Sequence, residues 1–265
     1  MFDRQLKILW NKKVGDVYYR IGLQGRGGYA RAKPGQFVML RLPDHNDPLL
    51  RRPFSIHRLI AADGRIAGIE ILYKLVGKGT RKLATLPEGE YLDVLGPLGS
   101  AFTFPSQYRH IFMVTGGIGV APMVFLASFL VEKGADPSCC RVFLGGKSSS
   151  DILCADDFSD LGMPVHTTTD DGSAGDQCLV THPVELEIQD SLPDIIFACG
   201  PLEMLQCVFG IVEKYKIPCQ ISIETRMACG LGACLGCAVE SRDAPHKYLH
   251  ACLDGPVFDT RDIRL

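Results

Sequence analysis

The chain of 265 residues lacks the features that mark several classes of protein. It has 28 Lys and Arg against 30 Asp and Glu, so no basic excess points to a nucleic acid as a partner. No long run of like charge indicates an interaction tail, and no internal repeat or low-complexity tract stands out. Residues 1–13 carry scattered charges in place of the apolar core of a signal peptide, so we expect a cytoplasmic protein.

One stretch, residues 111–131, carries no charge for 21 residues and is long enough to span a bilayer. Gly116, Gly117, Gly119 and Pro122 interrupt its middle. This pattern favours a short strand, a glycine turn and a helix that begins at Pro122. A membrane span is the less favoured alternative, because genuine spans tolerate Gly and Pro.

The first hundred residues have the pattern of a small antiparallel β-barrel, in which short strands are separated by Gly and Pro turns. The predicted strands are residues 35–43, 66–76 and 90–96. From about residue 108, apolar strand-like runs alternate with helical ones, which predicts a doubly wound parallel sheet. The predicted strands there are 110–114, 141–145, 194–198 and 219–224, and the predicted helices are 122–133, 151–160 and 201–215. Residues 226–265 do not continue this alternation.

Four of the eleven cysteines form a group near the end of the chain, with the spacing C-x4-C-x2-C-x14-C: Cys229, Cys234, Cys237 and Cys252. The first part of this spacing is that of plant-type ferredoxins, whose thiolates hold a [2Fe–2S] cluster. Glycines 230, 232 and 236 are expected to let the loop wrap closely and turn backbone N–H groups toward the sulfurs. A structural zinc site is the alternative, although zinc ribbons more often use two C-x2-C pairs and this segment has one.

Two motifs in the first part of the chain could bind a flavin, the cofactor that links single-electron to two-electron chemistry. Arg51-Arg52-Pro53-Phe54-Ser55 offers a guanidinium fork for a pyrophosphate and a hydroxyl three residues later. Leu72-Tyr73-Lys74, followed by Gly77, Gly79 and Thr80, offers a strand edge and a helix N-terminus. Each motif taken alone is weak and is better explained as ordinary structure. Ser55 would be a turn hydroxyl that caps the backbone, Gly77 and Gly79 a plain turn, and Tyr73 a half-buried strand aromatic.

Two further motifs lie where an open parallel sheet binds nucleotides. Gly116-Gly117-Ile118-Gly119 follows a strand and precedes a helix, although it is not the G-x-G-x-x-G fingerprint. Cys199-Gly200-Pro201 follows another strand at the same sheet edge, so Cys199 either faces a nicotinamide or is a buried core thiol. Six other cysteines lie in apolar surroundings and are predicted to be small buried core residues: Cys139, Cys140, Cys154, Cys178, Cys207 and Cys219.

In order, the motifs RPFS, YxxxGxGT, GPLG, GGIGxxP and CGPxxM resemble those of the ferredoxin–NADP reductase superfamily over most of residues 1–225. The appended ETRMACGLGACLGCAV and YLHACLDGPVFD make the whole chain similar to electron-transfer subunits of NAD-dependent dihydroorotate dehydrogenase B. The resemblance implies an FAD-binding barrel (1–104), an NAD-binding α/β domain (105–225) and a [2Fe–2S] segment (226–265).

The resemblance also implies roles for single residues. Ser55 would act near the flavin ring and Cys199 at the nicotinamide, while Arg52 would lie near the pyrophosphate. The other implied FAD contacts are Pro53, Phe54, Leu72, Tyr73, Lys74, Gly79 and Thr80. NAD would lie against Gly116, Gly117, Gly119, Gly200 and Pro201. Phe54 stands where related reductases often carry a flavin-stacking Tyr, and nothing near Gly145-Gly146-Lys147 decides between NAD and NADP.

A partner is implied as well. An FMN-containing dihydroorotate dehydrogenase catalytic subunit would oxidise dihydroorotate in pyrimidine biosynthesis. Electrons would pass singly through the cluster to FAD and then as hydride to NAD⁺, in a heterotetramer of two plus two subunits. Two alternatives stay open: a paralogous reductase subunit that serves ferredoxin, sulfur or hydrogenase chemistry, and a non-catalytic scaffold stabilised by zinc.

Overall fold

The computed structural model describes residues 2–25, 27–43, 47–105 and 107–265. Seven strands form a first, antiparallel sheet: β1 (Phe2–Lys13), β2 (Tyr18–Gln24), β3 (Phe37–Arg41), β4 (Arg52–Ser55), β5 (Arg58–Ala62), β6 (Arg65–Lys74) and β7 (Tyr91–Leu98). Their order is β4-β3-β7-β1-β2-β6-β5. A short helix, α1 (Lys78–Ala84), follows β6. The sheet curls around a core of alternating side chains such as Ile69, Ile71 and Tyr73. The prediction of an antiparallel, barrel-like first part is confirmed.

A second sheet of seven strands follows: β8 (Ile111–Gly116), β9 (Cys140–Gly146), β10 (Val165–Thr169), β11 (Asp176–Gln177), β12 (Ile195–Cys199), β13 (Cys219–Ser222) and β16 (Val257–Asp259). Their order is β11-β10-β9-β8-β12-β13-β16. All neighbours are parallel except β13 and β16, which are antiparallel. The last strand of the cysteine-bearing segment therefore forms the edge of this sheet.

Helices cover both faces of the second sheet: α2 (Val120–Glu132) and α3 (Ala155–Ser159) on one face, α4 (Thr181–Asp190) and α5 (Leu202–Tyr215) on the other. Along β8, Ile111 and Met113 pack on the first face and Phe112 and Val114 on the second, as expected for a strand buried on both sides. The doubly wound prediction is confirmed. The strand order reverses between β8 and β12, which places a crevice at their carboxyl ends.

The uncharged stretch 111–131 folds as strand β8, a 3-10 turn at Gly117–Gly119 and helix α2. The helix begins at Val120, slightly before the predicted start at Pro122. Across the described ranges, no helix has the length and apolar character needed to cross a membrane.

The cysteine-bearing segment lies against both sheets. Its hairpin consists of β14 (Ala238–Glu240) and β15 (Tyr248–His250). Cys237 and Cys252 belong to the same buried cluster as Met39 of β3 and Ile221 of β13. The loop that holds the cysteines is thus fixed beside the junction of the barrel and the second sheet.

Candidate functional site

A cavity of about 870 Å³ lies between the barrel and the carboxyl ends of β8 and β12. Its volume falls within the range of ligand pockets. It is lined by every residue for which the sequence predicted a flavin or nicotinamide role: Arg52, Pro53, Phe54, Ser55, Leu72, Tyr73, Lys74, Gly79, Thr80, Gly116, Gly117, Gly119, Cys199, Gly200 and Pro201. The two motif sets, which are remote in sequence, therefore share one site.

The barrel wall of the cavity is built from β4 and β6. The Arg52 guanidinium donates to the Leu50 carbonyl at 2.7 Å, which fixes it at the wall. The Phe54 ring meets the Tyr73 ring edge-on, with centroids 6.0 Å apart. Tyr73 is buried and donates its hydroxyl to Asn11 Oδ1 at 2.9 Å, so that hydroxyl belongs to the barrel core rather than to a ligand.

The end of this wall is formed by Lys74 and the turn before α1. Lys74 Nζ lies 3.3 Å from Asp151 Oδ1 of the second domain. The Thr80 hydroxyl accepts the backbone N–H groups of Val76 and Gly77, at 2.9 and 3.2 Å. Thr80 therefore closes the first turn of α1, and its hydroxyl is already engaged. Gly77 faces open space, so its missing side chain leaves room at the cavity rim.

The opposite wall is the glycine turn after β8, packed against the loop after β12. A Cβ on Gly119 would lie 2.3 Å from the Cys199 carbonyl oxygen, and one on Gly116 would lie 2.7 Å from Pro201 Cδ. These two glycines are required by close packing between the loops. Gly117 differs, because its φ is +52° and a Cβ there would meet nothing within 4 Å. Gly117 is thus the member of the turn that opens the backbone to a ligand.

Cys199 ends β12 and lines the cavity. Burial raises the pKa of its thiol to about 12, which outweighs a hydrogen bond with Ser222. The group is therefore a neutral thiol near pH 7, suited to contact a flat ring rather than to attack it.

The prediction for Cys207 is wrong. This residue is exposed on α5 and lines the same cavity, whereas the sequence predicted a core residue. Cys140 and Cys219 are buried as predicted. Cys139, Cys154 and Cys178 are only half-buried, so the prediction of core residues is wrong for these three as well.

Backbone N–H groups in the cysteine loop point at the sulfurs, as the sequence predicted. Leu231 N and Cys234 N lie 3.3 and 3.4 Å from Cys229 Sγ, and Gly232 N lies 3.2 Å from Cys252 Sγ. Cys237 Sγ and Cys252 Sγ are 3.3 Å apart. Donors aimed at converging thiols suit an anionic metal–sulfur group.

The four cysteines have unequal surroundings. The N–H of Leu231, with others in the loop, lowers the pKa of Cys229 to about 6. Burial, with the neighbouring Cys237, raises the pKa of Cys252 to about 11. Cys237 and Cys252 are buried while Cys234 is exposed, so the cluster site has an inner and an outer side.

Two of the three glycines in this loop have the predicted steric role. A Cβ on Gly230 would lie 2.7 Å from Met39 Cγ of the barrel, and one on Gly232 would lie 2.2 Å from Leu253 Cδ1. Gly236 has no such contact: its nearest neighbour is Cys234 Sγ at 3.7 Å. For Gly236, packing against the protein therefore gives no steric reason for a glycine.

The large cavity continues toward the cysteine loop. After β13 ends at Ser222, its lining passes through Ile223, Glu224, Thr225 and Met227. Cys229 follows Met227 by two residues. One short segment thus joins the floor of the cavity to the first cysteine of the group.

Comparison with known proteins agrees with this geometry. A family model described as the iron-sulfur cluster binding domain of dihydroorotate dehydrogenase B matches residues 224–264, and an oxidoreductase NAD-binding domain matches residues 113–209. The electron transfer subunit of dihydroorotate dehydrogenase B (NAD(+)) from Listeria monocytogenes is 37% identical over 269 residues, covering 100% of both chains. Its counterpart from Caldanaerobacter subterraneus is 35% identical, over 97% of this chain and 96% of its own length.

Solved structures share the fold. An NADH-dependent reduced ferredoxin–NADP oxidoreductase has a TM-score of 0.84 at 26% identity, covering 98% of this chain and 90% of that one. A ferredoxin NADP⁺ reductase from Neisseria gonorrhoeae has a TM-score of 0.66 at 18% identity, covering 80% and 91%.

The fold and the site define an oxidoreductase of the ferredoxin–NADP reductase type with an added iron–sulfur segment. Within that class, the chain belongs to the family of electron transfer subunits of dihydroorotate dehydrogenase B (NAD(+)). The predicted family is confirmed, and so are an iron–sulfur cluster and NAD as its cofactors. The alternative of a zinc-stabilised scaffold is left without support.

Proposed function

We propose that this chain passes electrons from an FMN-containing dihydroorotate dehydrogenase catalytic subunit, through a [2Fe–2S] cluster and FAD, to NAD⁺. The observation that carries the proposal is the continuity of the cavity lining from Cys199 to Met227, two residues before Cys229. A cluster site and a nucleotide cavity that share one segment suit the transfer of electrons between them.

The residues of the cavity fit FAD and NAD. FAD and the cluster, when bound, supply the exchange between two-electron and one-electron steps. Arg52 offers a planar cation for the pyrophosphate, and Phe54 offers a ring face at the wall. Ser55 and Cys199 line the same cavity from opposite domains, so a flavin and a nicotinamide held by them would face each other. Gly116 and Gly119 let the turn pack on the loop after β12, and Gly117 leaves its backbone open, so that the phosphates of NAD would approach the start of α2 over this turn.

The same proposal divides the chain into an FAD-binding barrel (1–104), an NAD-binding α/β domain (105–225) and a [2Fe–2S] segment (226–265). The [2Fe–2S] cluster would be held by the thiolates of Cys229, Cys234, Cys237 and Cys252. The segment 226–265 that carries them contributes β16 to the second sheet and packs Gly230 on Met39 of the barrel. A cytoplasmic location is supported by the eleven cysteines, none of which forms a disulfide in the part of the chain that the structure describes, since cysteine-rich chains without disulfides suit a reducing compartment.

The catalytic subunit is proposed to dock on the outer side of the cysteine loop. Leu231, Leu235 and Leu253 surround this side and are 42%, 57% and 57% exposed. Exposed leucines beside Cys234 form an apolar surface of the kind that protein interfaces cover. Docking there brings the partner next to the exposed cysteine. A heterotetramer of two plus two subunits follows if the catalytic subunit is itself a dimer.

The test is reconstitution with the FMN-containing subunit under anaerobic conditions. Dihydroorotate is expected to bleach the FAD of this chain and then to reduce NAD⁺. Leu235→Asp is expected to weaken complex formation at least tenfold, because docking would bury the new carboxylate. Asp tolerates the positive φ of Leu235, 57°. Leu192→Asp is the matched control, because Leu192 is 58% exposed but lies at the amino end of β12.

Two results would contradict the proposal. One is FAD that stays oxidised when dihydroorotate is added to the reconstituted complex. In that case, bleaching by reduced ferredoxin would indicate the paralogous reductase function. The other is equal complex formation by Leu235→Asp and the parent chain, which would place the docking surface elsewhere.

A further inference from the structure

The segment that follows β13 crosses from the Cys199 end of the cavity to the barrel. It begins at Ser222, whose hydroxyl is hydrogen-bonded to the Cys199 thiol. It reaches the barrel at Gly230, where a Cβ would lie 2.7 Å from Met39 Cγ of β3. Met39 pairs with Pro53 of β4, the strand that carries the predicted flavin motif. The middle of this segment therefore lies between the Cys199 end of the cavity and its flavin wall.

Thr225 lies in the middle of this segment and offers the cavity an unused hydroxyl. The residue lines the cavity, and its Oγ1 is buried without a hydrogen-bond partner among the residues that the structure describes. Leaving a buried hydroxyl unpaired costs free energy, so such an atom on a cavity wall points to a ligand. Ser222 gives the contrast, because its hydroxyl already has a partner in the Cys199 thiol.

The side chains on either side of Thr225 do not supply the same group. Glu224 is exposed and lines the cavity, but a carboxylate accepts hydrogen bonds and donates none. Arg226 is a donor, but it does not line the cavity. Thr225 therefore brings to this part of the wall a side-chain donor that its two neighbours in the chain do not provide.

We propose that the Thr225 hydroxyl donates a hydrogen bond to the ring edge of the bound flavin and makes this flavin easier to reduce. This inference rests on the proposed function, because it assumes that FAD occupies this cavity. Near pH 7, reduction adds two electrons and one proton to a flavin and leaves a negative charge on its ring. A donor aimed at an atom that gains negative charge stabilises the reduced form more than the oxidised form. The same segment leads to Cys229, so the donor lies on the wall between the cavity and the cysteine group.

The experiment is an equilibrium redox titration of the isolated chain loaded with FAD and cluster. The flavin is followed by its visible absorbance and the cluster by its EPR signal, so that the two midpoint potentials are measured separately. Thr225→Val removes the hydroxyl at nearly constant volume. At a given potential, the ratio of reduced to oxidised FAD is expected to fall about tenfold, because a hydrogen bond to a charged ring is lost. For a two-electron couple this lowers the midpoint potential of FAD by about 30 mV.

Two variants serve as controls. Thr225→Ser keeps a hydroxyl at the same position and is expected to retain the parent potential of FAD. Thr169→Val removes a threonine hydroxyl that is fully buried away from the cavity and donates to the Ala174 carbonyl at 2.8 Å. This variant is expected to have a lower melting temperature and an unchanged potential of FAD, because its hydroxyl is paired within the protein.

The inference is overturned if Thr225→Val leaves the potential of FAD unchanged or raises it, or if Thr225→Ser lowers it as much as Thr225→Val does. Thr225→Ala gives the same test if the valine variant does not retain FAD. The titration needs neither the catalytic subunit nor dihydroorotate. A parent chain that binds no FAD, or that receives no electrons from the partner, contradicts the proposed function. An unshifted potential in the FAD-loaded variant contradicts this inference alone.

Discussion

Arg20 Nη2 lies 2.7 Å from Asp157 Oδ2, and this ion pair joins β2 of the barrel to α3 of the second domain. Arg58 pairs with the other oxygen of Asp157, so one carboxylate holds two barrel guanidiniums. Burial alone would raise the pKa of Asp157, but the hydrogen bond and charge of Arg58, with the charge of Arg20, outweigh it and lower that pKa.

His57, Cys154 and Asp157 place donor atoms within 4.8 Å of one another. Because the arginines already bind the carboxylate and the thiol, this group serves as a domain contact rather than a metal site.

The first prediction concerns this contact. Asp157→Asn removes the carboxylate that pairs with both partly buried guanidiniums and leaves Arg58 only the more distant Glu70, 3.9 Å away, so we expect the free energy of unfolding to fall by about 2–3 kcal/mol. Chemical denaturation of the cofactor-loaded protein measures the loss. Asp156→Asn is the control, because Asp156 is an exposed carboxylate on the same helix. Equal stability of the two variants would show that the ion pair adds nothing at this boundary.

The second prediction concerns His57, which is fully buried beside the same arginines. Its Nδ1 lies 2.8 Å from the Ala121 carbonyl, which can only accept, so Nδ1 carries the proton. Burial lowers the pKa of His57 to about 3, and the charges of Arg20 and Arg58 add to this. The unfolded chain, with an ordinary histidine pKa, therefore binds a proton between about pH 6.5 and 3 that the folded chain does not bind.

The contribution of His57 to the free energy of unfolding is accordingly expected to be fully present above pH 6.5 and to decline as the pH falls below that value. Near pH 5 the decline from this one group amounts to about 2 kcal/mol. His57→Gln removes the group, so its stability is expected to depend less steeply on pH between 6.5 and 5. His182→Gln, at an exposed position on α4, is expected to keep the parent slope. Denaturation curves at several pH values measure the slopes, and parallel curves for His57→Gln and the parent would contradict the prediction.

The sequence predicted elements whose pattern is local and missed those defined by long-range packing. Strands β3, β6 and β7 were predicted because each has an apolar or alternating run between Gly and Pro turns. Strand β16 was missed, since only its pairing with β13 makes residues 257–259 a strand. Helix α3 spans 155–159 rather than the predicted 151–160, because Cys154 adopts a positive φ of 63° before it.

Site residues followed the same rule. Motifs with characteristic spacing, such as the cysteine group, could be located from the sequence alone. The position of Asp170 on the cavity wall could not be predicted, because it depends on β10 lying next to β9, and these two strands are separated in the chain. Thr225 gave no sequence signal at all, since an unpaired hydroxyl is visible only in three dimensions.

The third prediction concerns the cysteine group. Cys234→Ser removes one thiolate ligand, so we expect the protein to lose the visible absorbance of the iron–sulfur cluster while retaining FAD. NADH should still reduce the FAD, because the nicotinamide site is separate. Cys178→Ser changes a cysteine outside the group and is expected to keep full cluster absorbance and iron content. Stoichiometric iron in Cys234→Ser would mean that another residue completes the cluster.

The fourth prediction separates two glycines of one turn. Gly119→Ala would force a Cβ to within 2.3 Å of the Cys199 carbonyl oxygen, so the two loops must move apart. We expect a loss of about 1–3 kcal/mol in stability and weaker binding of 5′-AMP. Gly117→Ala meets no neighbour within 4 Å, and its positive φ of +52° costs only about 1 kcal/mol. Its Cβ would instead enter the cavity, so nucleotide binding should weaken with little loss of stability. Calorimetry and thermal unfolding of both variants give this contrast, and equal stability of the two would show that Gly119 is not required by packing.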